Sequence, residues 1–161
     1  MTTVPRGPTV PRGLWIYALS AVPAERLRED IEGISEDWQI THRTVPEAGL
    51  AMLTLRDGCL HDPFHLGEFP LASAWLKIRL PDGREAEGAA RVMSDDPTLA
   101  ETLALCDAVL AARLPGWERI DGELDQGMGL RRREARIRGT IRVKTKVEFS
   151  LLDEAERDYR A

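Results

Sequence analysis

The sequence predicts an α+β domain: a largely antiparallel sheet of four or five strands with about four helices. Three observations carry this. Two stretches alternate apolar and polar side chains with a period of two, at residues 71–80 and 141–151. A Pro81-Asp82-Gly83 turn follows the first of them at hairpin spacing. A long apolar stripe at helical spacing runs from Leu99 to Leu114, opened by Asp96-Pro97 and closed by Pro115-Gly116.

Residues 1–13 contain Val-Pro-Arg-Gly twice in a Pro/Gly/Thr-rich context and are expected to form a flexible arm. Residues 14–22 are mostly apolar and follow two arginines, as in an export signal. Prolines dilute those charges and an amphipathic pattern follows directly, so a buried first helix is the expectation. Pro23 suits the start of a second helix over residues 24–31, ending at Gly33, with Leu27 and Ile31 on its apolar stripe. Strands are expected at residues 38–45 and 49–55, separated by Pro46-Glu47-Ala48. A loop follows around residues 57–63, and residues 84–93 are expected to pair back on 71–80.

Leu99, Leu103, Cys106, Leu110 and Leu114 give the next helix one apolar face. Residues 117–138 are interrupted by Gly122, Gly127 and Gly129, though their last turns read as helix. Beyond Gly139, Ile141, Val143, Val147, Phe149 and Leu151 alternate with Arg142, Lys144, Lys146, Glu148 and Ser150, which predicts a half-buried strand. The folded region is therefore expected over residues 14–152, with a polar tail at 153–161.

The chain has 161 residues, enough for one domain with its own core. No apolar run reaches the roughly 18–20 residues of a membrane span. Two cysteines, Cys59 and Cys106, make no disulfide scaffold and suit a reducing cytoplasm. A net charge of −5 excludes a generally basic nucleic-acid coat. The distribution is uneven: residues 131–146 carry +7, leaving −12 elsewhere. Arg138, Arg142, Lys144 and Lys146 in that segment are candidates for binding an anion or an acidic partner, against the alternative of a solvated face. No aromatic residue interleaves with these cations, which disfavours nucleic acid.

Cys59, His61, Asp62, His65 and Glu68 form the densest group of metal-ligand residue types. Pro63 inside the His-x-x-x-His interval opposes a helical site, so a polar loop with incidental histidines competes with a metal site on Cys59, His61 and His65. Nucleophile elbow, P-loop, Gly-x-Gly-x-x-Gly and Cys-x-x-Cys patterns are all missing from the sequence. Glu47, Glu68 and Asp107 are carboxylates in apolar surroundings that could act as acid or base, or simply as caps and ion pairs.

Four phrases, in order, resemble the PhnG family, the small subunit of the bacterial carbon–phosphorus lyase core. They are residues 45–52 (VPEAGLAM), 64–68 (FHLGE), 79–83 (RLPDG) and 145–149 (TKVEF). The opening residues 14–19 and the helix containing Ala100, Glu101 and Asp107 fit as well. The chain departs from the family pattern at residues 57–62, where a glycine-rich stretch is usual, and at His65, where asparagine is usual. Cys59, His61 and His65 are therefore peculiar to this chain.

The resemblance implies a cytoplasmic, site-completing subunit of a transferase complex that joins an alkylphosphonate to C1 of the ATP ribose. Adenine is displaced, and C–P cleavage by a PhnJ-type radical subunit follows. It implies PhnH-, PhnI- and PhnJ-type partners, with a PhnL-type ATPase alongside, no cofactor of its own and no turnover by the chain alone. A homodimer of the isolated chain is a further expectation, since four tryptophans suggest apolar surface left uncovered. Glu47, Gly49, Phe64, His65, Gly67 and Glu68 are the expected partner or substrate contacts. The alternatives are a metal-dependent hydrolase using Cys59, His61, His65 and Glu68, and a small anion-binding regulatory module.

Overall fold

The computed structural model describes residues 7–144. The chain divides into two units, Met1–Leu130 and Arg131–Ala161. The first unit begins with a short 3-10 turn, Arg12–Leu14, and continues through α1 (Trp15–Leu19) and α2 (Ala24–Glu32). Three strands follow, β1 (Gln39–Arg56), β2 (Pro63–Arg79) and β3 (Glu85–Val92), then α3 (Pro97–Ala112) and α4 (Trp117–Lys144). The sheet is antiparallel in the order β1-β2-β3. The α+β class is as expected, and the described residues hold three strands rather than four or five.

Two causes account for the strand count. The stretches 38–45 and 49–55 are one strand running through Pro46, which sits where the register shifts between Thr44 and Glu47. Proline is tolerated there because β1 is an edge strand and a bulge demands no ladder N–H. The strand expected from residue 141 is helical as far as Lys144; its remainder, including Lys146, and the tail at 153–161 lie outside the described residues.

Each remaining element follows its local chemistry. Asp96 caps α3 by accepting the Thr98 N–H at 2.8 Å, with Pro97 in the first turn. Gly83, at φ 86°, closes the β2–β3 turn. Ten positions of α3 between Ala100 and Leu110 are buried, because this helix lies against one face of the three-stranded part of the sheet. The contact is close: a Cβ on Gly88 would stand 2.1 Å from the Ala104 carbonyl oxygen. Alanines 86, 90, 104 and 108 complete this small-residue interface.

The arm expected over residues 1–13 is anchored where it is described. Trp15 Nε1 donates to the Val10 carbonyl at 2.8 Å, and Val10 packs on the core. Arg12 reaches Asp107 through two hydrogen bonds. Residues 1–6 lie outside the description. On α4 the buried positions Trp117, Ile120, Leu124 and Gly127 recur at helical spacing within the first unit. Gly127 is required by proximity, since its Cβ would meet the Ala18 carbonyl oxygen at 2.2 Å.

Candidate functional site

The sheet places alternate side chains on two unlike faces. Ala72, Ala74, Leu76 and Ile78 of β2 are buried beneath the helices, as are Ala86, Ala90 and Val92 of β3. The opposite face is open. Its rungs, read across β1, β2 and β3, are Gln39–Arg79–Glu85, Thr41–Lys77–Glu87, Thr44–Trp75–Ala89 and Glu47–Ser73–Arg91. A shallow groove of about 510 Å³ lies on it, lined by Thr44, Glu47, Ser73, Trp75, Ala89 and Arg91. Trp75 is 46% exposed.

At one end this face is neutralised within the fold. Glu85 accepts from Lys77 and Arg79, and Glu87 from Arg43, all at 2.6 Å. These partners hold both carboxyls below their ordinary range: Lys77 then Arg79 for Glu85, Arg43 foremost for Glu87. Glu47 and Arg91 have no ion-pair partner among the described residues.

β3 ends at Val92, opposite Ala72, so from Gly49–Leu71 onward β1 and β2 continue as a two-stranded ribbon. Its eight β1 residues extend it by roughly 26 Å at 3.3 Å each. No residue of the ribbon is buried. Leu50, Met52, Leu53, Leu55, Phe64 and Leu66 are all exposed large hydrophobics. An isolated hairpin of this kind has no core of its own and is marginal in water.

The pairing sorts the ribbon's side chains. Leu50–Pro70, Met52–Glu68 and Thr54–His65 share the face that continues the helix-covered side; the Thr54 Oγ1 to His65 Nδ1 separation of 3.1 Å agrees. Gly49–Leu71, Ala51–Phe69, Leu53–Gly67 and Leu55–Phe64 share the face that continues the open side. Leu66 is the extra residue of a bulge, beside Gly67 at φ 148°. The segment 64–68, which holds four of the expected contact residues, is the first part of β2.

The expected contact residues thus fall in two groups. Glu47, Gly49, Phe64 and Gly67 lie along the open face, while His65 and Glu68 lie on the other side of the ribbon. Glu68 is exposed and has no hydrogen-bond or ion-pair partner among the described residues. Asp107 is not an acid or base facing solvent. It is buried, paired with Arg12 at 2.8 Å, and accepts the Ala89 N–H at 3.2 Å.

Among the described residues no three His, Cys, Asp or Glu side chains converge on a possible metal position, those of Cys59, His61, His65 and Glu68 included. Cys59 and His61 instead belong to the β1–β2 turn, where the Asp57 carboxylate accepts the Leu60 N–H at 2.9 Å and His61 adopts φ 58°.

In the second unit, residues 131–144 continue as helix. Glu134 accepts from Arg138 and from Arg131, and both arginines hold its carboxyl below the ordinary range, Arg138 more strongly. The single acid of the basic segment is thus engaged by two of its own arginines. Arg138 and Arg142 are one turn apart on this helix rather than on a strand, and the Arg142–Lys144–Lys146 row is not formed as a strand row within the described residues.

Sequence reasoning missed a charged clamp between α2 and α4. Arg26 of α2 meets Glu123 of α4 at 2.5 Å, and Arg119 of α4 meets Asp30 of α2. Asp30 and Glu123 are buried, each with one oxygen lacking a protein partner. The available signal was the Arg-x-x-x-acid spacing at 26/30 and 119/123.

The described residues thus form a three-stranded antiparallel sheet with helices on one face, an open opposite face and a two-stranded ribbon of exposed apolar side chains. The sequence model of the family described as Phosphonate metabolism protein PhnG matches residues 10–153, and the chain belongs to that family. Comparison with curated proteins finds none that matches. Among the described residues no helix is long and apolar enough to cross a membrane.

Proposed function

We propose that this chain is a site-completing, non-catalytic subunit of the carbon–phosphorus lyase system. The complex transfers alkylphosphonate to C1 of the ATP ribose with loss of adenine, ahead of C–P bond cleavage. Family membership supports the pathway. The observation that carries the role is the ribbon, whose exposed leucines, methionine and phenylalanine have no covering layer among the described residues.

PhnH-, PhnI- and PhnJ-type subunits are the proposed partners. The side bearing Leu50, Met52, His65 and Glu68 is their proposed docking surface, apolar with a carboxylate able to accept from a partner arginine or amide. The carboxylates support a subunit role in another way. Asp107 is engaged inside the fold, and Glu47 and Glu68 stand on solvent-facing strands. ATP and alkylphosphonate are substrates of the complex in this reading, and the chain supplies no cofactor.

Co-expression with a PhnI-type subunit tests it. Wild-type chain is expected to co-purify, and Met52→Asp to lose capture without a change in melting temperature. Adenine release from ATP and methylphosphonate should require the assembled subunits. Release by the chain alone would overturn the proposal, as would undiminished capture by Met52→Asp.

A further inference from the structure

The open sheet face carries a charge pattern that is complementary to itself. On one rung, Glu47 of β1 and Arg91 of β3 flank Ser73 of β2, all three on the same side. Strands lie about 4.8 Å apart, so the two opposite charges sit roughly equidistant from a small central residue. Both are exposed, and neither has an ion-pair partner among the described residues. The neighbouring rung holds the half-exposed Trp75 between Thr44 and Ala89, and the next rungs in the ribbon direction are Leu71, then Ala51–Phe69. The centre of the face is thus apolar and low, with one acid on one flank and one base on the other.

We infer that this face is the interface for a second copy of the same chain. Consider a two-fold axis that runs along β2 in the plane between two facing sheets. It lays β2 over β2, and β1 of each copy over β3 of the other. Glu47 then faces the second copy's Arg91, and Arg91 faces its Glu47, so the pair forms twice and each charge has one partner. Ser73 lies on the axis opposite itself, where a small residue suits sheets packed about 10 Å apart. Trp75 meets Trp75 at the separation where offset aromatic pairs form. An axis across the strands instead would set Glu47 on Glu47 and Arg91 on Arg91, which like-charge repulsion disfavours.

The distribution of charge along the face agrees with a contact centred on the Ser73 and Trp75 rungs. Arg43, Lys77, Arg79, Glu85 and Glu87 already pair with one another toward the other end and gain nothing from a partner. Twisted sheets meet closely only near their crossing. The apolar side of the ribbon, with Leu53, Leu55 and Phe64, extends the surface on the same face. The opposite side of the ribbon, assigned above to other subunits, stays free, so this inference does not depend on that reading.

Sedimentation velocity of the full chain across the micromolar range tests it. Wild-type protein is expected to dimerise. Glu47→Arg and Arg91→Glu each place two like-charge contacts in a symmetric interface and should weaken association by at least about tenfold. The double exchange Glu47→Arg with Arg91→Glu should restore it. Both sites are exposed, so melting temperatures should match wild type at concentrations where all the proteins are monomeric. Wild-type chain that stays monomeric would overturn the inference, and so would single variants that dimerise unchanged or a double variant as weak as the singles. Co-purification with a PhnI-type subunit by these same variants separates a failure here from a failure of the subunit assignment.

Discussion

Asp107 binds Arg12 through both carboxylate oxygens, at 3.0 and 2.8 Å, and one of those oxygens also takes the Ala89 N–H from β3. One buried acid of α3 therefore ties the N-terminal segment and an edge strand to the central helix. The same contact holds the Arg12 guanidinium protonated more firmly than usual, the hydrogen bond to Asp107 being the main cause.

Asp107→Ala should lower stability by about 2 kcal/mol, from the lost charge-assisted hydrogen bonds and the orphaned Ala89 N–H. Arg12 is largely exposed and returns to water, which caps the loss. Arg12→Ala strands a buried carboxylate with a single donor and should cost a similar amount. The double variant should fall short of the sum, because the two residues share one interaction. Urea titrations of the four proteins check this; strict additivity would contradict it.

Gly88 and Gly122 should respond to alanine with opposite signs. At Gly88 the added Cβ would meet backbone of α3, with the Ala104 oxygen at 2.1 Å and the Ala108 nitrogen at 2.6 Å. Neither atom can move without shifting the helix, so Gly88→Ala should destabilise by about 3 kcal/mol or more. Gly122 is exposed within α4, and nothing lies within 4 Å of its Cβ position. Gly122→Ala should stabilise by about 0.5–1 kcal/mol through reduced freedom of the unfolded chain. Thermal melts of the two variants decide it.

These glycines also show where the sequence was legible. The expected α2, α3 and β2–β3 turn all form, because Pro23, Asp96-Pro97 and Pro81-Asp82-Gly83 act over a few residues. Residues 117–144 were harder to read: Gly122, Gly127 and Gly129 lower helix propensity locally, yet Gly127 is there to let α4 approach α1. Ile141 opens the expected strand, yet with Ile137 it also satisfies the helical i, i+4 spacing, and the helix continues through both. Pro46 looked like a boundary because its conflict with a ladder disappears only once β1 is known to be an edge. The two-sided exposure of the ribbon was invisible, since alternation says which residues share a face but not whether anything covers it.

The two thiols should differ sharply in reactivity. Cys59 is exposed in the β1–β2 turn, whereas Cys106 is fully buried in α3. Burial is the main cause pushing the Cys106 thiol well above its ordinary range, reinforced first by Asp30 and then by Asp107 and Glu123. A raised acid pKa favours the protonated native form, so its contribution to stability is full below the unfolded thiol pKa and declines as pH rises above it. A thiol reagent at neutral pH should therefore modify one site at once, and the second only with unfolding in urea. Prompt modification of both sites in native protein would refute the burial assigned to Cys106.

Gly67 offers a way to separate ribbon shape from domain stability. Its φ of 148°, next to the bulge at Leu66, lies where side chains are strained even though its Cβ position is open. Gly67→Val should therefore distort the ribbon locally, shifting the register that places Glu68 opposite Met52 and His65 opposite Thr54. No ribbon residue belongs to the buried core, so the melting temperature should stay within the small range of an ordinary surface change, about 0.5 kcal/mol. Glu68→Gln is the milder companion: it removes one exposed charge and leaves the backbone as it is. Capture of a PhnI-type subunit should fall steeply for Gly67→Val and measurably for Glu68→Gln, both at unchanged stability. If Gly67→Val instead lowered the melting temperature by several degrees, the ribbon would be part of the folding unit and its role as a separate docking element would not stand.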